Sequence, residues 1–371
     1  MKNSLRAVAY TVLQSPCMTR FPLVLQSKDK TRGIGQADLL LGRAAGQAVK
    51  KIGGVPAGAS GSPVFVGRRL VGAVSHLLGG DSFLVGITPI GAMLNLTQEP
   101  DPTALATPEK PLGRTGASLV LAVGGNFKSR ESEVALRTHL GGIPFSCSGN
   151  LPPRRNKSLA PGDPVGVAMM IGDLRLGFIG TVTYVKNRAV YAFGHPLLHS
   201  GPCQYPLTAA TILTTARGNF PNKIGDLGEV MGTVLQDRAA GVFGLLGQMP
   251  LGLVEGSLSV KDEDRKVETV HRVQVVHHPA ELPFLIYVAA LETITQTMNR
   301  VGEGTAKWEW RVHIRGETDE TVIMDEQYSP FNIGAVVADS VFSLLMEPLS
   351  IGRQVTKVAL TARFTMSDEL N

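Results

Sequence analysis

The sequence has few cysteines and none of the common cofactor motifs. Its 371 residues include three cysteines, Cys17, Cys147 and Cys203. Because no C-x-x-C pair occurs, we do not expect a cysteine zinc site, and the odd count leaves room for one disulfide rather than a disulfide framework. No H-E-x-x-H, Walker or dinucleotide-binding glycine motif is present. We therefore predict neither a metal nor a cofactor.

The sequence also lacks a long apolar run and a signal-peptide pattern. No run reaches the length that a bilayer span needs, so we predict no transmembrane segment. The N-terminal stretch MKNSLRAVAYTVLQ leads directly into a strand-like segment that contains Arg6. These features predict a cytoplasmic protein, or an exported or cell-envelope protein if the N-terminus is truncated. The sequence carries no signal for an oligomeric state.

The positive charge is dispersed rather than concentrated. The formal net charge is +5 and the isoelectric point is about 9.1. The one dense cluster, PPRRNK at residues 152–157, is interpreted as a solvated loop. A nucleic-acid patch is the weaker interpretation, so we predict no nucleic-acid partner. Binding to nucleic acid or another anionic surface stays open as a third hypothesis on the isoelectric point alone, and it requires binding that weakens with salt.

What the chain does contain is many glycines and prolines between short apolar segments. The 42 glycines and 23 prolines predict numerous tight turns. The hydrophobic content of 43% is enough for two or three cores. In KWEWRVHIRG, residues 307–316, apolar and charged residues alternate, so Trp308 and Trp310 are predicted to face a core. We predict a mainly β protein with some α structure, in four parts: a β-rich serine half (1–97), a linker (98–117), a histidine half (118–254) and a C-terminal α+β domain (255–371).

Several elements of these parts are predicted individually. Residues 284–300 and 334–346 are predicted as helices, and residues 354–365 as the final strand. Residues 205–215 fit a helix or a strand.

A turn of small residues, GASGSP at residues 58–63, follows the first β-rich stretch. Small residues on both sides of Ser60 let the backbone turn sharply and let a substrate carbonyl approach. The peptide N–H groups of Gly58 and Ser60 would then form an oxyanion hole. A plain small-residue turn between two strands is the alternative interpretation, because such turns are common.

The candidate base for this serine is His195, in YAFGHPLLHSG at residues 191–201. A histidine on a loop at the end of a strand, between a glycine and a proline, is well placed for proton transfer. The alternative is a histidine that caps a turn. His76, at the end of a strand, is interpreted as structural.

Three segments carry a resemblance to a known family. They are GGVPAGASGSPVFVGRRLVGAVSH at residues 53–76, GTVTYVKNRAVYAFGHPLLHSG at residues 180–201, and GEVMGTVLQDRAAGVFGLLG at residues 228–247. Together they resemble the SpoIVB-type serine peptidases, the bacterial family of the stage-four sporulation protein B peptidase. The histidine segment precedes the serine segment in that family, so this chain resembles a permuted member. The resemblance covers residues 5 to about 250, and no peptide-binding module of the PDZ type is evident.

The resemblance implies a fold and a catalytic pair. It implies a chymotrypsin-like double β-barrel, with Ser60 as the nucleophile and His195 as the general base. The family's acidic positions correspond to Ala45 and His199 here, and the family's methionine before the serine corresponds to Ala59. The orienting acid is therefore unassigned, with Asp38 the nearest acid upstream. The alternatives in the histidine half are Asp163, Asp173 and Asp237.

Two functional hypotheses follow from this resemblance. The first is a serine endopeptidase that cleaves a protein or peptide substrate through Ser60 and His195. The second is a catalytically weak or inactive relative that binds protein segments, since both family acids are missing and barrel clefts bind extended peptides.

Overall fold

The computed structural model describes residues 5–32, 38–97, 119–141, 143, 145–147 and 158–366. The predicted linker at residues 98–117 lies outside the described residues. The chain divides into two compact units. The first unit comprises Met1–Gly124, Leu140–Ala168 and Leu176–Pro250, and the second comprises Gly125–His139, Met169–Arg175 and Leu251–Asn371. Residues 125–139 and 169–175 thus group with the C-terminal part, whereas the sequence-based division assigned them to the histidine half.

The N-terminal part of the first unit is a closed six-stranded barrel. Its strands run in the order β1-β2-β3-β6-β5-β4. Alternate residues point into the barrel, so pairs such as Phe21 and Leu23, or Val85 and Ile87, form its core. Two short helices, α1 (Gln47–Ile52) and α2 (Ile90–Leu94), accompany the barrel. The strands are β1 (Leu5–Gln14), β2 (Cys17–Arg32), β3 (Asp38–Ala44), β4 (Pro63–Val66), β5 (Arg69–Leu78) and β6 (Asp81–Pro89).

The rest of the first unit contains a second ring of paired strands. Six strands pair in the order β9-β12-β13-β14-β11-β10, and β9 also pairs with β10. The stretch 205–215, which fitted a helix or a strand, lies inside β12. The mainly β prediction is therefore confirmed. The strands are β7 (Leu121–Gly125), β8 (Phe145–Cys147), β9 (Pro164–Gly172), β10 (Leu174–Lys186), β11 (Ala189–Ala192), β12 (Gly201–Ala216), β13 (Asn222–Arg238) and β14 (Gly241–Leu246).

The second unit contains a β-sheet and three helices among its described residues. Its C-terminal strands run in the order β18-β17-β19-β15-β16, with β15 and β19 parallel. Trp308 and Trp310 on β17 are buried, as the alternation predicts. The elements are α3 (Arg130–His139), β15 (Val254–Asp262), β16 (Val267–Val275), α4 (Leu282–Met298), β17 (Gly304–Ile314), β18 (Thr321–Ser329), α5 (Ile333–Ser350) and β19 (Val355–Thr365).

Helix α5 is the one helix in the described part of the chain that is long and apolar enough to cross a membrane by length and composition. Eight of its 18 residues are buried in this unit. It packs against α4 and β17. The apolar composition is thus accounted for by the face that it buries.

Candidate functional site at the serine turn

The serine turn is shaped by two glycines with left-handed backbone angles. Gly58 has φ +85° and Gly61 has φ +95°, which residues with a Cβ rarely adopt. The Ala59 N–H donates to the Pro56 carbonyl at 3.0 Å, and the Gly61 N–H donates to the Val74 carbonyl at 2.7 Å. The first hydrogen bond closes the turn, and the second ties it to β5 of the first barrel. The two predicted oxyanion-hole residues, Gly58 and Ser60, both lie in it.

Substitution of Gly61 by alanine should disrupt this turn. A Cβ there would lie 1.8 Å from the Thr181 carbonyl oxygen and 2.6 Å from the Phe193 nitrogen, both backbone atoms that cannot rotate away. We expect Gly61→Ala to lower the free energy of unfolding by more than about 3 kcal/mol. Gly67→Ala is the matched control, since Gly67 also has a positive φ but has open space around its Cβ position. Equal effects of the two substitutions in urea denaturation would show that the close approach at Gly61 is unimportant.

The Ser60 side chain is buried, with 1% of its surface exposed. Its hydroxyl lies 3.4 Å from the Ser75 carbonyl oxygen on β5. Its own carbonyl accepts a 2.7 Å hydrogen bond from the Thr181 N–H on β10. Ser60 is therefore held between a strand of the first barrel and a strand of the second ring.

The His195 ring is fully buried and is held in one tautomer. Its Nδ1 lies 2.8 Å from the Pro196 carbonyl oxygen. Because a carbonyl can only accept, Nδ1 carries the proton and Nε2 has a free lone pair. Nε2 is buried and has no hydrogen-bond partner among the described residues. Burial, aided by the nearby His76, lowers the pKa of His195 to about 3, while its hydrogen bond to Pro196 acts in the opposite direction. The ring is thus neutral at physiological pH.

The serine and histidine segments meet around Ser75. Thr88 donates a 2.6 Å hydrogen bond to the carbonyl of Gly194, next to His195. A Cβ atom added to Gly194 would lie 3.2 Å from the Ser75 Cβ, so the two backbones approach closely. The structure therefore brings the two segments to one place, although more than a hundred residues separate them.

His76, interpreted from the sequence as structural, lies beside the His195 ring. Its ring centroid lies 5.8 Å from that of His195. Its Nδ1 is 2.8 Å from the Ser75 hydroxyl, which in turn donates to the Gly86 carbonyl. Burial lowers the pKa of His76 to about 4. The two neutral imidazoles thus pack in an edge-on, T-shaped arrangement.

None of the three candidate acids with described side chains, Asp163, Asp173 and Asp237, hydrogen-bonds to the His195 ring. The buried Asp237 accepts hydrogen bonds from the N–H groups of Leu197 and Leu198, both at 2.7 Å, and of Ser200 at 3.3 Å. It therefore anchors the loop that follows His195. Burial raises the pKa of Asp237, while the three amides oppose that shift.

The other candidate acids have separate roles. Asp163 accepts from the Ala160 N–H, and Asp173 accepts from the Arg272 N–H. Asp38 begins β3, and its side chain lies outside the described part of the structure. The group that orients His195 is a backbone carbonyl.

Lys223 on β13 is a member of the site that the sequence analysis missed. Its side chain is fully buried. Its Nζ lies 2.7 Å from the Thr11 hydroxyl and 3.2 Å from the Thr181 hydroxyl. Burial lowers the pKa of this amine to about 7. Nothing in its local sequence, PNKIGD, distinguishes it from an exposed lysine.

The comparisons with known proteins add no relative. No protein-family model matches the chain, and no curated protein or solved structure matches it significantly. Within the described ranges, no group of three or more His, Cys, Asp or Glu side chains is arranged to hold a metal ion. The function is therefore inferred from the geometry around Ser60 and His195.

Proposed function

We propose that the protein is a serine peptidase-like hydrolase in which Ser60 is the nucleophile and His195 is the general base. The observation that carries the proposal is the tautomer of His195. With Nδ1 bound to the Pro196 carbonyl, Nε2 is the nitrogen able to accept a proton. A general base in a serine hydrolase needs that protonation state.

The fold supports the same proposal. The first unit contains a closed six-stranded barrel and a second ring of six paired strands. This arrangement agrees with a chymotrypsin-like double barrel. The serine turn directly precedes β4 of the first barrel, and the histidine loop directly follows β11 of the second ring. Catalytic constellations are recognised by geometry rather than by chain order, so the reversed order of the two segments is compatible with this chemistry.

In the proposed reaction, Ser60 attacks the carbonyl carbon of a peptide bond while its hydroxyl proton passes to Nε2 of His195. The imidazolium then protonates the leaving amine, and water hydrolyses the acyl-enzyme with His195 again acting as base. The N–H groups of Gly58 and Ser60 are the proposed donors to the oxyanion. The Pro196 carbonyl replaces the family's acid in orienting the ring. It carries no full charge, so we expect a slower enzyme than one with an aspartate at this place.

A second candidate function is a protein-binding module that has lost catalysis. The burial of both side chains favours it, because Ser60 is 1% exposed and His195 is fully buried. The low pKa of His195 also favours it, since a base with a pKa of about 3 accepts a proton poorly.

Labelling with a fluorophosphonate probe distinguishes the two functions. We expect the wild-type protein to be labelled, Ser60→Ala to be unlabelled, and His195→Ala to react about 10²- to 10⁴-fold more slowly. Ser62→Ala is the matched control, because Ser62 is buried in the same turn and donates to the Ala59 carbonyl. This control should keep its labelling. A folded wild-type protein that is not labelled at any pH would overturn the hydrolase proposal and favour the binding module.

A further inference from the structure

The side chain of Lys223 packs directly against the serine turn. A Cβ atom added to Gly58 would lie 3.2 to 3.4 Å from methylene carbons of Lys223. The Lys223 N–H donates to the Ala57 carbonyl at 3.0 Å, and the Ala57 N–H donates to the Pro221 carbonyl at 2.8 Å. The start of β13 is therefore paired to the residues just before Ser60.

A threonine connects the Lys223 amine to the turn. The amine lies 3.2 Å from the Thr181 hydroxyl, which donates to the Gly58 carbonyl at 3.1 Å. The backbone N–H of Thr181 donates to the Ser60 carbonyl at 2.7 Å. One residue thus contacts the amine and two carbonyls of the turn.

The hydrogen-bonding groups around the amine suit its uncharged form. A neutral amine has two N–H donors, and the two nearby hydroxyls, of Thr11 and Thr181, satisfy them. An ammonium has a third N–H, and in a buried site that donor needs an acceptor. The next acceptor along this chain of hydrogen bonds is the Gly58 carbonyl, which already binds Thr181.

We propose that Lys223 is the positioning residue of the serine turn: its uncharged amine keeps Gly58 and Ser60 in the reactive geometry, and proton uptake displaces them. The reactivity part of this proposal depends on the proposed function. The positioning part does not, because the hydrogen bonds exist whether or not Ser60 is a nucleophile.

The groups that face the Lys223 amine are two hydroxyls and a backbone segment, and none of them titrates near neutral pH. They are the Thr11 hydroxyl from β1, the Thr181 hydroxyl from β10 and the Gly58 backbone from the turn. No described carboxylate forms an ion pair with Lys223, and burial alone lowers its pKa to about 7. The two histidines of the site have pKa values of about 4 and about 3. A transition near pH 7 that Lys223→Met abolishes would therefore report on Lys223.

The test measures the fluorophosphonate labelling rate of Ser60 from pH 5 to 9. In the wild type we expect the rate to fall about tenfold per pH unit below the midpoint near pH 7, following the uncharged fraction of the amine. In Lys223→Met this transition should disappear. Thr183→Val is the matched control, since Thr183 lies on the same strand and donates to the Gly61 carbonyl, but it has no hydrogen bond to Lys223. It should keep the transition.

A second readout separates this proposal from the proposed function. The NMR chemical shift of the Thr181 amide, whose N–H binds the Ser60 carbonyl, should titrate near pH 7 in the wild type and in Thr183→Val but not in Lys223→Met. An absence of labelling at every pH with this amide titration present would overturn the hydrolase and leave the positioning role standing. A pH-independent Thr181 amide in the wild type, or a transition retained in Lys223→Met, would overturn the positioning role.

Discussion

Replacing Lys223 with methionine should raise the free energy of unfolding at pH 7 by roughly 3 to 5 kcal/mol. In the unfolded chain a lysine keeps its proton up to a pKa of about 10.5, whereas burial lowers this pKa to about 7 in the folded protein. The unfolded state therefore binds the proton more tightly, which destabilises the folded state. At 1.36 kcal/mol per pKa unit, the shift corresponds to about 5 kcal/mol of lost folding free energy. The gain from methionine is smaller than this, because methionine cannot make the hydrogen bonds of the amine.

The pH dependence of this effect follows from the same pKa difference. Between pH 7 and about 10.5 the unfolded lysine is protonated and the folded one is not, so the wild type gains stability as the pH rises. The advantage of Lys223→Met should accordingly be largest at pH 7 and below, and should shrink by pH 10. Urea denaturation at pH 6, 8 and 10 measures it. Lys50→Met, at an exposed lysine, is the control and should change little at any pH. An advantage that does not vary with pH would mean that the Lys223 amine does not titrate as proposed.

Replacing Asp237 with alanine should lower the free energy of unfolding by about 3 to 5 kcal/mol. The carboxylate is fully buried and accepts from three backbone N–H groups of the loop after His195. Alanine leaves all three donors without their acceptor, the buried Leu197 N–H and the half-buried N–H groups of Leu198 and Ser200. Each such donor costs about 1 to 3 kcal/mol where water cannot reach it. The His195 loop should therefore loosen, and Ser60 labelling should slow along with the loss of stability.

Two further variants show whether this effect comes from the three amides. Asp237→Asn keeps one acceptor oxygen but places an NH₂ group beside N–H donors, so its loss should be intermediate. Asp163→Ala removes a carboxylate that accepts from one exposed amide, and it should cause a much smaller loss. The comparison uses denaturation midpoints at one pH. Similar losses in Asp237→Ala and Asp163→Ala would show that the His195 loop does not depend on its buried anchor.

Local sequence periodicity predicted much of the fold. The alternation in residues 307–316 correctly gave β17 with Trp308 and Trp310 buried, because the side chains of a strand alternate between two faces. The predicted helices at 284–300 and 334–346 correspond to α4 and α5. The grouping of residues 125–139 and 169–175 with the C-terminal part was not predictable, since it depends on contacts between segments far apart in the sequence.

The candidate site was predictable only in part. The small residues around Ser60 and the Gly-His-Pro turn mark their segments locally, but the pairing of Ser60 with His195 stays a prediction. The sequence around Lys223 does not indicate that this lysine is buried. The groups that its amine contacts, Thr11 and Thr181, lie 212 and 42 residues away in the sequence. A lysine is recognised as buried only when those strands are assembled around it.

Because His195 donates its hydrogen bond to the Pro196 carbonyl, a main-chain group of its own loop sets the orientation of the ring. A search for a third catalytic residue that replaced each side chain in turn would find positions that weaken the loop, such as Asp237. No such replacement would change which nitrogen of the His195 ring carries the proton, because every amino acid at position 196 has the same backbone carbonyl. Under the proposed chemistry, divergence of the surrounding side chains would therefore change how fast such a site works before it changed which nitrogen accepts the proton.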